Sequence, residues 1–190
     1  MNRVISQNLD DAKAMLQQLA SLESQIIAAA SAIAHALISG QKLMACGNGG
    51  SAADASHLTT EFICRFNRNR RPYPAISLSA HGGDLTAIAN DYDFDNIFAR
   101  QIQAYGRPGD VLAVFTTTGR SENIRRALVT ANALNVKTIA FLGRHGGKCA
   151  GIPDIELFVP SDVTARIQEG HKFLLHTICE IVEEQLQTGA

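Results

Sequence analysis

The chain has 190 residues, 46% of them hydrophobic and 18% charged, and 17 Lys+Arg nearly cancel 18 Asp+Glu to a formal net charge of -1. That length suits one domain with a proper core, burying roughly 70% of its extended surface. The balanced charge excludes a general nucleic-acid binder or a ligand of acidic membranes, both of which carry a basic excess.

The N-terminus predicts helix. Leu9, Ala12, Met15, Leu16 and Leu19 form one apolar stripe at helical spacing, and Ile26, Ala29, Ala30, Ile33 and Leu37 a second, closed by Ser39-Gly40. Residues 1–40 are therefore expected as a helical hairpin, ahead of a region over 41–190 in which strands and helices alternate. Residues 42–46 (KLMAC) read as a strand that breaks into a 47–51 glycine turn and a helix over 52–66. Residues 74–78 (PAISL) are a strand, followed by a Gly82-Gly83 turn and helix over 84–105. Residues 110–115 (DVLAVF) are a strand that turns at 116–121 into a helix reaching about residue 135. The last strands are 136–142 and 155–159, separated by a loop over 143–151, and a long helix covers 163–187. β-Branched runs alternating with helices imply an α/β fold, a doubly wound five-stranded parallel sheet covered on both faces. No apolar run approaches the roughly 20 residues that span a bilayer, and no basic-then-apolar signal opens the chain. Cys46, Cys64, Cys149 and Cys179 form no CxxC pair, so they read as reduced residues of a cytoplasmic protein, with Cys46 packed beside the glycine turn.

In open parallel sheets ligands sit beyond the carboxyl ends of the strands, which singles out two turns. CGNGGSAAD (46–54) has glycines that let backbone approach a ligand, with Ser51 expected as helix N-cap and Asp54 three residues on. It is neither GxGxxG nor a P-loop, because the lysine is missing, so ATP and dinucleotides are poor candidates. The second turn gathers Thr116, Thr117, Thr118 and Ser121 at a helix start. Four hydroxyls in six residues exceed what capping needs; with free N–H groups and the positive helix end they suit a phosphate monoester.

His57 and Glu61, four apart, project from one face of the helix that starts at the crevice. They are either a surface pair or two ligands of a zinc-type site. The terminal helix offers Gln168, Glu169, His171 and His176. Gln168 and His176 stand about 80° apart around it and roughly 12 Å along it, which by spacing supports only one of them as a ligand. His171 lies about 140° from His176 and faces elsewhere. Asn90-Asp91 ends a helix, and Asp91 could equally accept hydrogen bonds from substrate hydroxyls. Arg65, Arg68, Arg70 and Arg71 read as a solvated loop that could meet an acidic partner or a neighbouring subunit.

CGNGGSAADASHLTTEF, AIANDYDFDNIFARQIQAYGRPGDVL, TTTGRSENI and TARIQEGH, in that order, resemble the sedoheptulose 7-phosphate (phosphoheptose) isomerases of the sugar isomerase (SIS) domain class, over residues 3 to 187. The resemblance implies a single SIS domain of flavodoxin-like type, in a homotetramer with active sites at subunit interfaces. It implies conversion of sedoheptulose 7-phosphate to D-glycero-D-manno-heptose 7-phosphate, a step towards the heptoses of bacterial lipopolysaccharide or capsule, with one zinc or other divalent ion per subunit. By motif position, His57, Glu61, Gln168 and His176 are the implied metal ligands, and Glu61 and His176 the implied catalytic pair. Asn48, Gly49, Gly50, Ser51, Glu61, Asn90, Asp91, Thr116, Thr117, Thr118, Ser121 and Gln168 are the implied substrate-binding residues. Thr116 and Thr118 stand where the family usually has serine, Arg120 where Asn or Lys is common, and Ala165 where some members carry an acidic residue. The rival expectation is a non-catalytic tetrameric SIS scaffold that binds the replication initiator protein. That relative lacks the glutamate four residues after the histidine, and Glu61 is present here.

Overall fold

The computed structural model describes residues 2–143 and 145–188. Arg144, in the expected 143–151 loop, lies outside the described residues, as do the two chain ends. Strands β1 (Leu43–Gly47), β2 (Ala75–Ser77), β3 (Val111–Thr116), β4 (Lys137–Gly143) and β5 (Ile155–Val159) form one sheet in the order β2-β1-β3-β4-β5. Every neighbouring pair is parallel, as the continuous apolar runs required.

Alternation along each strand splits the interior in two. Leu43, Ala45, Val111, Ala113, Phe115, Ile139 and Phe141 face one core, shared with α2 (Glu23–Ile38), α3 (Gly50–Ile63) and α7 (Thr164–Thr188). Met44, Cys46, Leu112, Val114, Ala140 and Leu142 face the other, shared with α5 (Ile97–Tyr105) and α6 (Glu122–Ala133). At the opposite end from the ligand crevice, the fully buried Asp110 carboxylate accepts Lys42 Nζ at 2.6 Å and the Arg107 backbone N–H at 2.8 Å.

Three expectations need correction. The N-terminal segment is not a hairpin. Helix α1 (Arg3–Gln18) runs through a 3-10 turn (Leu19–Leu22) into α2, because 18–23 (QLASLE) holds no glycine or proline to reverse the chain. Gln18, Leu19 and Glu23 all keep right-handed helical angles, and both helices find their packing partner in α7. An 18-residue window within Arg3–Ile38 reaches a mean hydropathy of 1.3, enough by length and composition to cross a membrane. Ile26, Ala29, Ala30, Ile33 and Leu37 of this stretch are buried in the core. The expected 84–105 helix is broken into α4 (Gly82–Asp91), a short 3-10 turn and α5, since Asp93 is fully extended (φ -167°). Ser51 is not an N-cap: Gly49, at φ +56°, takes that position and α3 begins at Gly50.

His171 does face away from His176. It is fully buried, its ring edge-on to Phe115 and Phe141, which stack at 4.2 Å between centroids. Burial pushes its pKa down to about 4, while the Leu142 carbonyl and Asp54 pull the other way without cancelling it. An unfolded histidine binds its proton near pH 6.5, so between pH 6.5 and about 4 the unfolded chain holds a proton that the folded chain does not. This contribution is intact above pH 6.5 and is lost as pH falls, at up to about 1.4 kcal/mol per pH unit. Urea unfolding at pH 7 and pH 4.5 is expected to show a loss of stability on acidification that is roughly 2 kcal/mol smaller in His171→Leu.

Candidate active site

The chain passes from β1 outward to β2, then returns to place β3 on the other side of β1, so the crevice between the ends of β1 and β3 is the switch point of the sheet. The 47–51 turn leaves β1 there and the 116–121 turn leaves β3. A reciprocal amide pair joins them: Asn48 Nδ2 donates to Asn123 Oδ1 at 2.9 Å, and Asn123 Nδ2 donates to Asn48 Oδ1 at 3.0 Å. Asn48 therefore uses both ends of its amide as a brace. Asn123, buried on α6, was not singled out from the sequence, where nothing distinguishes it from any helical asparagine.

Two glycines are set by close approach. A Cβ on Gly50 would lie 2.2 Å from Gln168 Nε2, so the bare backbone lets Gln168 of α7 rest over the start of α3. Gly119, at φ +62°, would drive a Cβ to 1.7 Å from the Gly146 carbonyl oxygen. Its own carbonyl accepts the Lys148 N–H at 2.8 Å, which presses the 145–149 segment against the back of the turn. Within the turn, Thr116 Oγ1 accepts the Gly119 N–H at 3.1 Å and Thr118 Oγ1 the Arg120 N–H at 3.3 Å. Ser121 is the N-cap residue of α6, yet its hydroxyl makes no capping bond. The start of α6 thus keeps its positive end and a hydroxyl for a ligand.

On the other side of the crevice, His57 and Glu61 from α3 meet His176 from α7. His57 Nε2 lies 2.7 Å from Glu61 Oε1 and 3.2 Å from His176 Nε2, and the three donor atoms lie within 4.8 Å of one another. Lys172, one turn before His176, places Nζ 2.9 Å from His57 Nδ1 and 2.9 Å from Asp54 Oδ1. An ammonium can only donate, so His57 Nδ1 accepts and its ring proton sits on Nε2, between Glu61 and a lone pair of His176. Burial, with His57 and Lys172 nearby, holds the His176 pKa below its ordinary value, and Glu61 opposes this. Its imidazole is therefore neutral at pH 7 and can accept a proton. Lys172 was not anticipated; only the fold brings it within reach of a residue 115 positions away.

The remaining expected residues are placed as follows. Ser51 is buried at the start of α3, and Gly49 shapes the turn before it. Gln168 lines an open cleft of about 400 Å³ with Gly50, Asp54, Ala165, Glu169 and Lys172. Asn90 and Asp91 are exposed at the end of α4, where Asn90 Nδ2 donates to Asp91 Oδ1 at 3.0 Å. The basic run is not uniformly solvated: Arg70 forms a pair with Glu183 of α7 at 3.1 Å, with both side chains largely buried. Cys46, Cys149 and Cys179 are buried and Cys64 exposed, all as free thiols.

Two imidazoles and a carboxylate converging from one open side match the donor set of a catalytic zinc site with a free position. His57, Glu61 and His176 are the residues that could hold such an ion.

The SIS domain family model matches residues 7–143. A phosphoheptose isomerase of Geotalea daltonii is 48% identical over 165 residues, 87% of this chain and 86% of that protein. One from Aquifex aeolicus is 51% identical over 162 residues, covering 85% of each. The solved structure of a phosphoheptose isomerase from Francisella tularensis superposes with a TM-score of 0.92 at 38% identity, over 97% of this chain and 100% of that one.

Gly119→Ala should cost several kcal/mol, because the clash is with backbone and the residue needs a positive φ. Thermal unfolding and phosphate affinity by calorimetry are both expected to fall, whereas Gly83→Ala, with open space around it, should change neither.

Proposed function

This chain belongs to the SIS-domain proteins and, among them, to the phosphoheptose isomerases, and from that premise we propose that its substrate is sedoheptulose 7-phosphate and its product D-glycero-D-manno-heptose 7-phosphate. It is a sugar-phosphate isomerase. The observation that carries the reading is the juxtaposition of the Glu61–His57–His176 cluster with a hydroxyl-lined turn across one switch-point crevice. A phosphate on the 116–121 turn anchors the far end of the sugar, where the N-terminus of α6 and the Thr117 and Ser121 hydroxyls meet it. The reacting carbons then lie toward α3 and α7.

Conversion of a 2-ketose to an aldose removes one proton from C1, returns one to C2, and moves a proton from O1 to O2 by way of an enediol. In this proposal Glu61 carries the C1–C2 proton and His176, with its lone pair directed into the cluster, carries the O1–O2 proton. Lys172 and Asp54 hold His57 in place. A divalent ion, zinc by its donor set, would be held by His57, Glu61 and His176, with Gln168 as the fourth ligand that the family resemblance implies; when bound it would supply positive charge that stabilises the enediolate. A group that ligates a cation is a weaker base, so with an ion bound Glu61 and His176 would each act as a proton carrier only when free of it.

Other parts of the reading rest on composition and family. Operation in the cytoplasm fits the free thiols, and a homotetramer with sites at subunit interfaces follows from the family resemblance. The scaffold alternative has no structural feature in its favour, since Glu61 points into the cluster.

Isomerisation of sedoheptulose 7-phosphate, followed by NMR with added zinc, tests the assignment. Glu61→Gln and His176→Gln should each lower kcat by at least roughly 1000-fold, while thermal stability and inorganic phosphate binding stay at wild-type values. Near wild-type turnover in Glu61→Gln would refute its role. A second expectation concerns the metal. Lys172 competes for His57 and repels a dication, so Lys172→Met should bind zinc roughly tenfold more tightly in a chelator competition.

A further inference from the structure

The loop after α3 is fastened at both ends of the acid–base cluster by one buried ion pair. Arg70 Nη2 donates to the carbonyl oxygen of Glu61 itself at 2.6 Å, and Nη1 donates to the Phe62 carbonyl at 3.1 Å. These are final-turn carbonyls of α3 that lack helical partners, and a guanidinium there also answers the negative end of the helix. The same guanidinium lies over the rings of Phe62 and Tyr73, at 6.0 and 5.4 Å from their centroids. Arg70 Nε donates to Glu183 Oε1 at 3.1 Å, and Glu183 Oε2 accepts the backbone N–H groups of Asn67 and Arg68, each at 3.0 Å. Arg68 adds a second tie to α7 through Gln187.

Glu183 stands seven residues after His176, almost directly below it on the same face of α7. The loop it holds carries Phe66, whose ring stacks on the His176 imidazole at 5.7 Å and 24°. One pair therefore reaches both proposed proton carriers: Glu61 through its own backbone, and His176 through the ring laid against it.

We infer that Arg70 and Glu183 are positioning residues for this reaction, fixing the Glu61 turn and seating Phe66 on His176. The inference rests on the isomerase reading for its kinetic consequence and on the contacts alone for its structural one. Neither residue belongs to the 116–121 turn or to the residues that line the cleft beside Gln168, so substrate affinity through the phosphate turn is left alone. What changes is the placement of groups for which an error of about 1 Å costs roughly 100-fold in rate.

The test is Arg70→Lys, which keeps a charge for Glu183 but cannot hold two carbonyls and a carboxylate at once. The expected result is a fall in kcat of roughly 10- to 100-fold with KM changed less than about twofold, at nearly wild-type melting temperature. The His176 ring-proton signals in histidine-labelled NMR spectra should move towards those of Phe66→Leu, where the ring current is lost. Wild-type kcat and wild-type His176 signals in folded Arg70→Lys would overturn the assignment, as would a loss confined to melting temperature. Should Arg70→Lys fail to fold, Phe66→Leu decides: the assignment stands if kcat falls at constant KM and is overturned if kcat is unchanged. If wild-type protein does not turn over sedoheptulose 7-phosphate, the isomerase reading falls, and the NMR comparison still decides whether Arg70 seats Phe66.

Discussion

Two strand-to-helix turns far apart in the chain must lie side by side for this crevice to exist, and the Asn48–Asn123 amide pair is a polar contact that joins them. The parallel order β2-β1-β3-β4-β5 puts the ends of β1 and β3 next to each other, but adjacency of strands does not fix the loops beyond them. Two reciprocal hydrogen bonds give each amide nitrogen and each amide oxygen of the pair a partner, which offsets the desolvation cost of their partial burial. The glycines complete the arrangement. Gly50 admits Gln168 from above, and Gly119 admits the 145–149 segment from behind.

Charge inside the crevice follows from this geometry. Glu61 is the acceptor among three nitrogen groups, and Lys172 supplies a fixed cation against Asp54 and His57. Among the described residues, one buried Asp54 carboxylate oxygen has no hydrogen-bond partner. An aspartate behind a metal-ligating histidine is the usual arrangement for fixing the tautomer, and here a lysine stands in the same place.

Much of this could be read from residue order. The apolar runs located all five strands, the glycine and hydroxyl clusters located both turns, and i, i+4 spacing put His57 and Glu61 on one face. His176 was within reach of spacing arguments only as one of two options, because helical geometry measures separation on α7 and says nothing of what α7 packs against. The misread features were local. Ser51 looked like a cap because Ser followed by an acidic residue at the third position is a capping signature, whereas Gly49 could take the positive φ and start the helix sooner. Two apolar stripes suggested a hairpin, although QLASLE contains no reversal signal. The pairings of Asn123 with Asn48, Lys172 with His57 and Arg70 with Glu183 were beyond reach for a different reason: each spans 75 to 115 residues, and no periodicity encodes such a pairing.

Helix α7 carries Gln168, Lys172, His176 and Glu183 within an arc of about 80°. It is therefore a camshaft, with every functional projection keyed to one shaft. Gly170 seats that shaft on β5, since a Cβ there would lie 2.6 Å from Val159 Cγ1. Gain or loss of a single residue between 168 and 183 would rotate the downstream projections by about 100° and slide them 1.5 Å. Side chains along this stretch can be exchanged one at a time, but its length cannot change without disengaging several contacts together.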